Sequence, residues 1–363
     1  MELTPRALTF APGDGQSPPP MTQVYLHPDI VDYFVEYDFG EVLRSPADGG
    51  PGDLRRKVME DYVGEKCILL RNVGIDYDRA FLSGVSFPPT WYFKKFPSKV
   101  VERDKPLDRN PLKQELCRDL FGGDKGLFHR FEGEVRAVNA GIRRVLDELL
   151  RHHRIEASDI IWRHTETRVE NLHFDIDQDS GAFESVRLYL NMDDIPRIWH
   201  TSHELSRILP AYYDELELGA FASQPLEKLL QTLSLRLFGN WMSRGREQFP
   251  RHMVLFEPGD VWICDGRTVP HQVIYGRRVA SSFYRLDSAA LPAWHPSLKS
   301  KVDAVHDAHV AGAPAAGPET LKGYVYPFAA GGPKPPPGVR HPDLKKDWDK
   351  LYEESLQPKL VRL

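Results

Sequence analysis

The sequence predicts a mainly β fold with flanking helices around a jelly-roll core. Two groups of short strand-like runs, over 159–194 and 252–286, carry this prediction. P-G-D, D-G and Y-G turns separate the runs, as is typical of antiparallel barrels and jelly rolls. A helical stretch at about 203–245 lies between the two groups. We therefore expect one β core with a helical insert.

The N-terminal part is predicted to supply an arm, a buried strand and a long helix. Residues 1–22 are rich in Pro and Gly and are expected to form a loose arm. The run EKCILLRNV (65–73) is typical of a buried strand. FHRFEGEVRAVNAGIRRVLDELLRHH (128–153) predicts an amphipathic helix, because apolar residues recur every three or four positions. That apolar stripe consists of Phe131, Val135, Val138, Ile142, Val145 and Leu149.

These segments suggest a single large domain with two extensions. Residues 23–310 are expected to form the domain, with a helical N-terminal part and the insert at about 203–245. Residues 311–363 contain AGAPAAGPE and GGPKPPPG and are predicted to be a Pro/Gly-rich C-terminal extension.

The composition excludes several classes of protein. With 47 basic and 52 acidic side chains, the net charge of -5 argues against a dedicated nucleic-acid-binding protein. The three cysteines are far apart in sequence and fit a reducing compartment rather than a disulfide framework. No apolar run approaches the roughly 20 residues needed to span a bilayer, and no secretory signal is apparent. The expected location is the cytoplasm.

The stretch ENLHFDID (170–177) places His173 and Asp175 two positions apart. Such residues point to the same face of a strand, so they offer a divalent metal two adjacent ligands. The later run FEPGDVWICDGRTVPHQV adds His271 behind a P-G-D turn, a strand and a D-G turn. Together they predict a 2-His-1-carboxylate site that leaves positions open for a cosubstrate and dioxygen. Asp177 is expected to serve a turn or the surface instead.

This pattern, followed by a later arginine, resembles the Fe(II)/2-oxoglutarate-dependent dioxygenases. Within that superfamily, NLHFDID together with VRLYLNMDDIPRIWHTS is similar to the Kdo hydroxylase family. Those enzymes hydroxylate 3-deoxy-D-manno-oct-2-ulosonic acid (Kdo), a sugar acid of the lipopolysaccharide inner core. The resemblance implies a double-stranded β-helix, a cupin-like jelly roll, with Fe(II) and 2-oxoglutarate as cofactors. It also implies hydroxylation of an unactivated C–H bond, with Kdo or a related sugar acid as the favoured substrate.

The resemblance also assigns residues to the cosubstrate. The three predicted ligands match the iron ligands, and Arg285 matches the arginine that binds the distal carboxylate of 2-oxoglutarate. Arg277 and Arg278 compete for that role, although a hairpin tip suits it less. Tyr189 and Asn191 alternate on the strand after the HxD motif and are expected to face the cosubstrate.

The substrate is expected to be a small-molecule or lipid-linked sugar acid. Arg197 and Trp199 in PRIWHTS are predicted to lie near the metal mouth, where an arginine would meet an anionic group. A tryptophan packed at a barrel rim explains the pair equally well. The aromatic, basic run PPTWYFKKFPSK (88–99) is either a surface loop or a lid that contacts a glycan. No membrane anchor is predicted from the sequence, so any contact with the inner membrane is expected to be reversible.

Two other readings remain open. One is a natural-product tailoring oxygenase that acts on an amino acid or another small scaffold. The other is a non-enzymatic cupin-like protein that binds a sugar or a metal. Related halogenases replace the metal-binding carboxylate with a small residue, whereas Asp175 is present here. The resemblance therefore favours hydroxylation.

Overall fold

Two β-sheets form the centre of the protein, as seen in a computed structural model. It describes residues 6–7, 23–25, 33–85, 96–97, 101, 105–163, 172–177, 181, 183–238, 249–314 and 316–322. Most of the predicted arm, most of the run 88–99 and the extension beyond 322 lie outside these residues.

The strands fall into two separate sheets within the described part of the chain. The five-stranded sheet has the order β1 (Arg6–Ala7), β2 (Gln23–Tyr25), β10 (His252–Phe256), β9 (Arg197–Thr201) and β12 (His271–Tyr275). The other sheet has the order β3 (Phe34–Asp38), β4 (Cys67–Arg71), β11 (Val261–Ile263), β8 (Leu188–Asn191), β13 (Val279–Leu286), β6 (Ile155–Arg163) and β5 (Phe96–Pro97), and β7 (Glu184–Val186) also pairs with β13. Apart from the parallel pair β3–β4, neighbouring strands are antiparallel.

Aromatic side chains from both sheets meet between them. Trp262 of β11 stacks on Phe256 of β10 with ring centroids 3.8 Å apart. Trp199 of β9 contacts the same indole edge-on at 5.3 Å. These contacts join the sheets face to face, as the inner faces of a jelly roll pack. The predicted β core with flanking helices is confirmed, although the two sheets do not close into one barrel.

The helices cover the outer face of the larger sheet and the segment that carries the HxD motif. They are α1 (Phe39–Arg44), α2 (Leu54–Val63), α3 (Arg79–Gly84), α4 (Pro111–Phe121), α5 (Lys125–Leu149), α6 (Leu205–Ala211), α7 (Leu226–Leu233) and α8 (Leu298–Val310). Short helical turns occur at Leu107–Arg109, Leu218–Phe221, Ser234–Phe238, Ser288–Ala290 and Pro318–Thr320.

Helix α5 confirms the long helix that the apolar spacing predicts. Asp124 caps its N-terminus by accepting a hydrogen bond from the Leu127 amide. Its apolar stripe is fully buried against the outward face of the larger sheet, in one cluster with Leu188 and Leu190. Inside this contact, the Trp162 indole donates a 2.9 Å hydrogen bond to the Asn139 side chain.

The stretch between the two groups of strands contains α6, α7 and the turns that follow each of them, and residues 239–248 lie outside the described part. Its apolar side chains form one cluster with Leu172 and Phe174, which flank His173. The Phe174 amide donates a 3.1 Å hydrogen bond to the Ser234 hydroxyl. The insert therefore supports the HxD segment from behind.

The chain after α8 stays attached to the domain as far as the structure describes it. Helix α8 packs on α6, and Leu321 is buried in the cluster of the insert. No helix among the described residues is both long and apolar enough to cross a membrane.

Candidate metal centre

His173, Asp175 and His271 converge, with one potential ligand atom of each within 4.8 Å of the others. The His173 Nε2 atom is 3.9 Å from Asp175 Oδ1, and the His271 Nε2 atom is 4.0 Å from Asp175 Oδ2. His271 is the most buried of the three and His173 the most exposed, with side-chain exposures of 7% and 34%. The group therefore opens to solvent on the His173 side.

Backbone hydrogen bonds hold the HxD segment against the start of β12. His173 and His271 form an isolated antiparallel bridge, with N–O distances of 3.1 and 3.0 Å. The Asp175 amide then donates a 2.7 Å bond to the Gly266 carbonyl. The segment is thus extended, but it does not form the regular strand that NLHFDI predicts, because its second contact is to a loop rather than to β12.

Gly266 allows the two chains to approach this closely. A Cβ atom at this position would lie 2.8 Å from both Asp175 Cγ and His271 Cε1, and closer still to the Asp175 carboxylate. Carbon atoms normally pack at about 3.5–4.0 Å. Only glycine leaves the aspartate and the histidine side by side.

The His271 ring is held in one orientation. Trp199 stacks on it with ring centroids 4.9 Å apart and an interplanar angle of 22°. The Nδ1 atom lies 3.4 Å from the Val269 carbonyl, which fits an Nδ1–H donor. That tautomer leaves the Nε2 lone pair directed at Asp175 and His173, and metal-binding histidines are commonly oriented by such a hydrogen bond to a carbonyl.

Arg187 is a site residue that the sequence reasoning missed. Its Nη1 atom lies 3.0 Å from Asp175 Oδ2, and its Nη2 atom lies 2.9 and 2.7 Å from the two oxygens of Asp177. Burial would lower the pKa of the Arg187 guanidinium, but the charges of Asp175 and Asp177 outweigh burial and raise the pKa above its usual value. Asp177 thus pairs with a partly buried cation instead of serving a turn.

Tyr189 packs next to Trp199, the residue that stacks on His271. It packs between two tryptophans, stacked on Trp262 at 5.3 Å and edge-on to Trp199 at 5.0 Å. Burial, together with the negative charge of Asp175, raises the pKa of the Tyr189 hydroxyl well above its usual value. The phenol therefore stays neutral and extends the aromatic wall toward the site.

Asn191 has a different position from the predicted one. Its Nδ2 atom donates to the carbonyls of Ile195, Phe256 and Glu257 at 3.0 to 3.2 Å, and its Oδ1 atom accepts from the Asp193 amide at 3.2 Å. The amide group thus joins the turn after β8 to the turn after β10. Asn191 therefore does not lie next to His173, Asp175 and His271. Alternation along a strand predicts which face a residue is on, but not which end of the strand is near the site.

Arg285 lies at the metal end of β13. It is opposite Ser185 and shares the inward face of the strand with Phe283, whose ring is 4.9 Å from the Arg187 guanidinium. The Arg285 guanidinium lies 4.0 Å from the centre of the Phe183 ring. The guanidinium is thus half-buried and stacked on an aromatic ring, and its binding of the 2-oxoglutarate carboxylate stays a prediction.

Arg277 and Arg278 lie at the opposite end of β13. Arg277 forms ion pairs with Asp193 at 2.7 and 3.0 Å. Arg278 donates to the Val85 carbonyl at 3.1 and 3.2 Å. Their neighbour Val279 is opposite Asn191, whereas Arg285 is opposite Ser185. Both tip arginines thus have partners far along the strand from Arg285.

Trp199 and Arg197 are not at a solvent-exposed mouth. Trp199 is buried and contacts His271, so it supports a metal ligand. Arg197 is also buried, at the other end of β9 from Thr201, which is opposite His271. Four strand residues span about 13 Å. The prediction for Arg197 differs from the structure because PRIWHTS forms a strand that runs toward the metal centre and begins far from it.

The donor set fits a divalent transition metal. Two imidazole nitrogens and one carboxylate oxygen are the ligands of the facial triad that leaves open positions on non-heme iron. The glycine at position 266 and the stacked Trp199 fix the ligands from behind, while the His173 side stays open. A metal bound here would be accessible to a further ligand from that side.

No protein-family model matches the chain, and no curated protein matches it. Among solved structures, it is similar to the Kdo hydroxylase KdoO, a non-heme Fe(II) alphaketoglutarate dependent dioxygenase. In complex with succinate and Fe(III), KdoO aligns with a TM-score of 0.49 and 14% identity over 77% of this chain and 96% of KdoO. Its cobalt(II) complex gives a TM-score of 0.48 and 13% identity over 78% and 97%. AviO1 from Streptomyces viridochromogenes Tue57 aligns with a TM-score of 0.25 and 16% identity over 44% of this chain and 63% of AviO1.

Proposed function

We propose that this protein is an Fe(II)- and 2-oxoglutarate-dependent dioxygenase that hydroxylates an unactivated C–H bond. The observation that supports it best is the convergence of two imidazoles and one carboxylate within 4.8 Å, open on one side. A partly buried arginine at Asp175 and a second arginine at the metal end of β13 accompany this group. A protein that only stores a metal or binds a sugar would not need both.

The residues of the chain have distinct roles in this proposal. His173, Asp175 and His271 would hold Fe(II), and Arg285 would bind the far carboxylate of 2-oxoglutarate through a charge-assisted contact. The bound iron, with 2-oxoglutarate and dioxygen, supplies the oxidising chemistry that releases succinate and carbon dioxide and inserts one oxygen atom into the substrate. The aromatic wall of Tyr189 keeps water from the inner side of the site.

The favoured substrate is Kdo or a related sugar acid, free or linked to a lipid. The likeness of NLHFDID and VRLYLNMDDIPRIWHTS to the Kdo hydroxylases supports it. The buried position of Arg197 removes that residue as a contact for the acid group. The sugar acid would enter from the side of His173, because His173 is the most exposed of the three candidate ligands.

Alanine variants test the metal centre. His173→Ala, Asp175→Ala and His271→Ala should each abolish activity and greatly weaken Fe(II) or Co(II) binding, measured by calorimetry under argon. The matched control is His129→Ala, because His129 is an exposed histidine on α5, with 58% of its side chain accessible. Wild-type metal affinity and activity in Asp175→Ala would contradict the assignment.

Mass spectrometry tests the substrate class. Free Kdo, Kdo-lipid acceptors, amino acids and small-molecule scaffolds are incubated with Fe(II), ascorbate, 2-oxoglutarate and oxygen. A gain of one oxygen on Kdo supports the sugar-acid proposal. Turnover of an amino acid or another scaffold, with no oxidation of any Kdo acceptor, would reject that substrate and leave the enzyme class.

A further inference from the structure

We infer that Arg187 is a positioning residue that makes Asp175 bind the metal through one oxygen only. The inference rests on the proposed function, since it concerns the same metal centre. Beside the two imidazoles, a carboxylate that binds through one oxygen leaves three of the six positions of an octahedral ion free. A carboxylate that binds through both oxygens leaves two, so its second oxygen competes with 2-oxoglutarate and dioxygen, which together need three.

Both oxygens of Asp175 are near a histidine ligand. Oδ1 is 3.9 Å from the His173 Nε2 atom, and Oδ2 is 4.0 Å from the His271 Nε2 atom. An ion between the two imidazoles is thus within reach of either oxygen. Carboxylates bind metals through one or two oxygens, so the protein has to select between the two modes.

Arg187 makes that selection at Oδ2. Its Nη1 atom is 3.0 Å from this oxygen, and the Gly266 backbone packs against the same side of the carboxylate. With Oδ2 held by the guanidinium, Oδ1 is the oxygen that we assign to the metal. The Arg187 guanidinium is held in place, because its Nη2 atom donates to both oxygens of Asp177 and the Phe283 ring lies 4.9 Å from it.

The charges predict that metal binding does not depend on Arg187. The guanidinium is a cation beside the place of a divalent cation, and like charges repel more strongly in a partly buried site than in water. Asp177 offsets this repulsion by pairing with Arg187. Replacing Arg187 by Met removes a cation and leaves Asp175 anionic, so the affinity for the metal should stay equal or rise.

The loss should appear instead in the binding of the cosubstrate. In Arg187→Met, Asp175 is free to bind through both oxygens and to occupy a position that 2-oxoglutarate and dioxygen need. We expect the Kd of 2-oxoglutarate for the Co(II)-loaded protein to rise about tenfold or more, which corresponds to about 1.4 kcal/mol. We also expect the visible spectrum of the Co(II) protein to change before any cosubstrate is added.

A 2-oxo acid without the far carboxylate separates positioning from direct contact. Affinity for 2-oxobutyrate should fall in Arg187→Met by the same factor as affinity for 2-oxoglutarate, because both acids need the same metal positions. A residue that touches the far carboxylate would affect 2-oxoglutarate alone, as we expect for Arg285→Ala. Loss for 2-oxoglutarate only in Arg187→Met would therefore overturn the inference.

The experiment compares the wild type with Arg187→Met, Arg187→Lys and Arg277→Met, all loaded with Co(II). Lysine donates to one carboxylate as a point charge, so Arg187→Lys should restore much of the wild-type spectrum and affinity. Arg277→Met is the matched control, since Arg277 is also ion-paired with an aspartate, at the far end of β13. Thermal unfolding of each Co(II) form confirms that it is folded.

The outcomes separate this inference from the proposed function. A wild type that binds no Co(II), or whose Co(II) form binds no 2-oxoglutarate, contradicts the proposed function. A wild type that binds both, with an unchanged spectrum and cosubstrate affinity in Arg187→Met, contradicts the inference alone. Loss of Co(II) binding in Arg187→Met and Arg187→Lys also contradicts it, because the charges predict that the metal is retained.

Discussion

Substituting Gly266 by alanine should damage the metal centre without straining the backbone. The φ angle of Gly266 is not in the positive range, so alanine is allowed there on conformational grounds. The added methyl group, however, would lie 2.8 Å from Asp175 Cγ and from His271 Cε1. Carbon atoms need about 3.5–4.0 Å, so each ligand has to move by up to roughly 1 Å.

That displacement gives the expected magnitudes. Metal–ligand distances tolerate about ±0.2 Å, and disturbing the groups that orient ligands typically costs 10- to 100-fold in metal affinity. Overpacking of a closely packed site also costs about 1–3 kcal/mol of unfolding free energy. We therefore expect the Kd for Co(II) to rise about 10- to 100-fold in Gly266→Ala, measured by calorimetry, with a lower urea midpoint.

Gly133→Ala is the matched control. Gly133 is exposed within α5, and a Cβ there meets no atom within 4 Å. Alanine should stabilise this helix position by about 0.5–1 kcal/mol and leave the metal affinity unchanged. Wild-type Co(II) affinity in Gly266→Ala would refute the close approach of the two ligands that we describe.

Two further predictions concern the cosubstrate and acid stability. Arg285→Ala should raise the 2-oxoglutarate concentration needed for half-maximal activity about ten- to a hundredfold, because hydrogen bonds to charged groups contribute about 1.5–3 kcal/mol. Arg278→Ala should leave this concentration unchanged, and both variants are measured by succinate release. The reverse result would assign the role to the hairpin tip. Burial lowers the pKa of His153 to about 4 and that of His295 to about 3. Both imidazoles are neutral in the folded protein, whereas in the unfolded chain they bind protons below a pH of about 6.5. The free energy of unfolding should therefore fall as the pH drops from about 6.5 toward 4. His295→Gln should flatten that decline in urea titrations at pH 7 and 5, and an unchanged slope would contradict it.

The pattern of apolar residues predicted the elements that pack in the core along their whole length. The apolar stripe of α5 and the run that forms β4 are each buried against a sheet or between two layers, so local sequence shows their structure. The HxD spacing likewise predicted two ligands on one side. His271 followed from the turn signals that return the chain to the same end of the core.

Contacts that depend on the register between distant segments could not be predicted. Arg187 stands in a mostly apolar run, and its contact with Asp175 exists only because the fold brings two distant segments of the chain together. Alternation predicted that Tyr189 and Asn191 share a face, but not that Asn191 lies at the far end of the strand. Arg197 was predicted at the mouth because local sequence does not show which end of β9 is near the metal.

The most direct test of the central claim is ordered binding under argon. Apoprotein is titrated first with Fe(II) or Co(II), and then with 2-oxoglutarate. We predict one metal per chain, 2-oxoglutarate binding only to the metal-loaded protein, and loss of both in Asp175→Ala. Equal binding of 2-oxoglutarate with and without the metal, or a wild-type chain that binds no metal, would contradict the claim that His173, Asp175 and His271 form the centre of a 2-oxoglutarate-dependent dioxygenase.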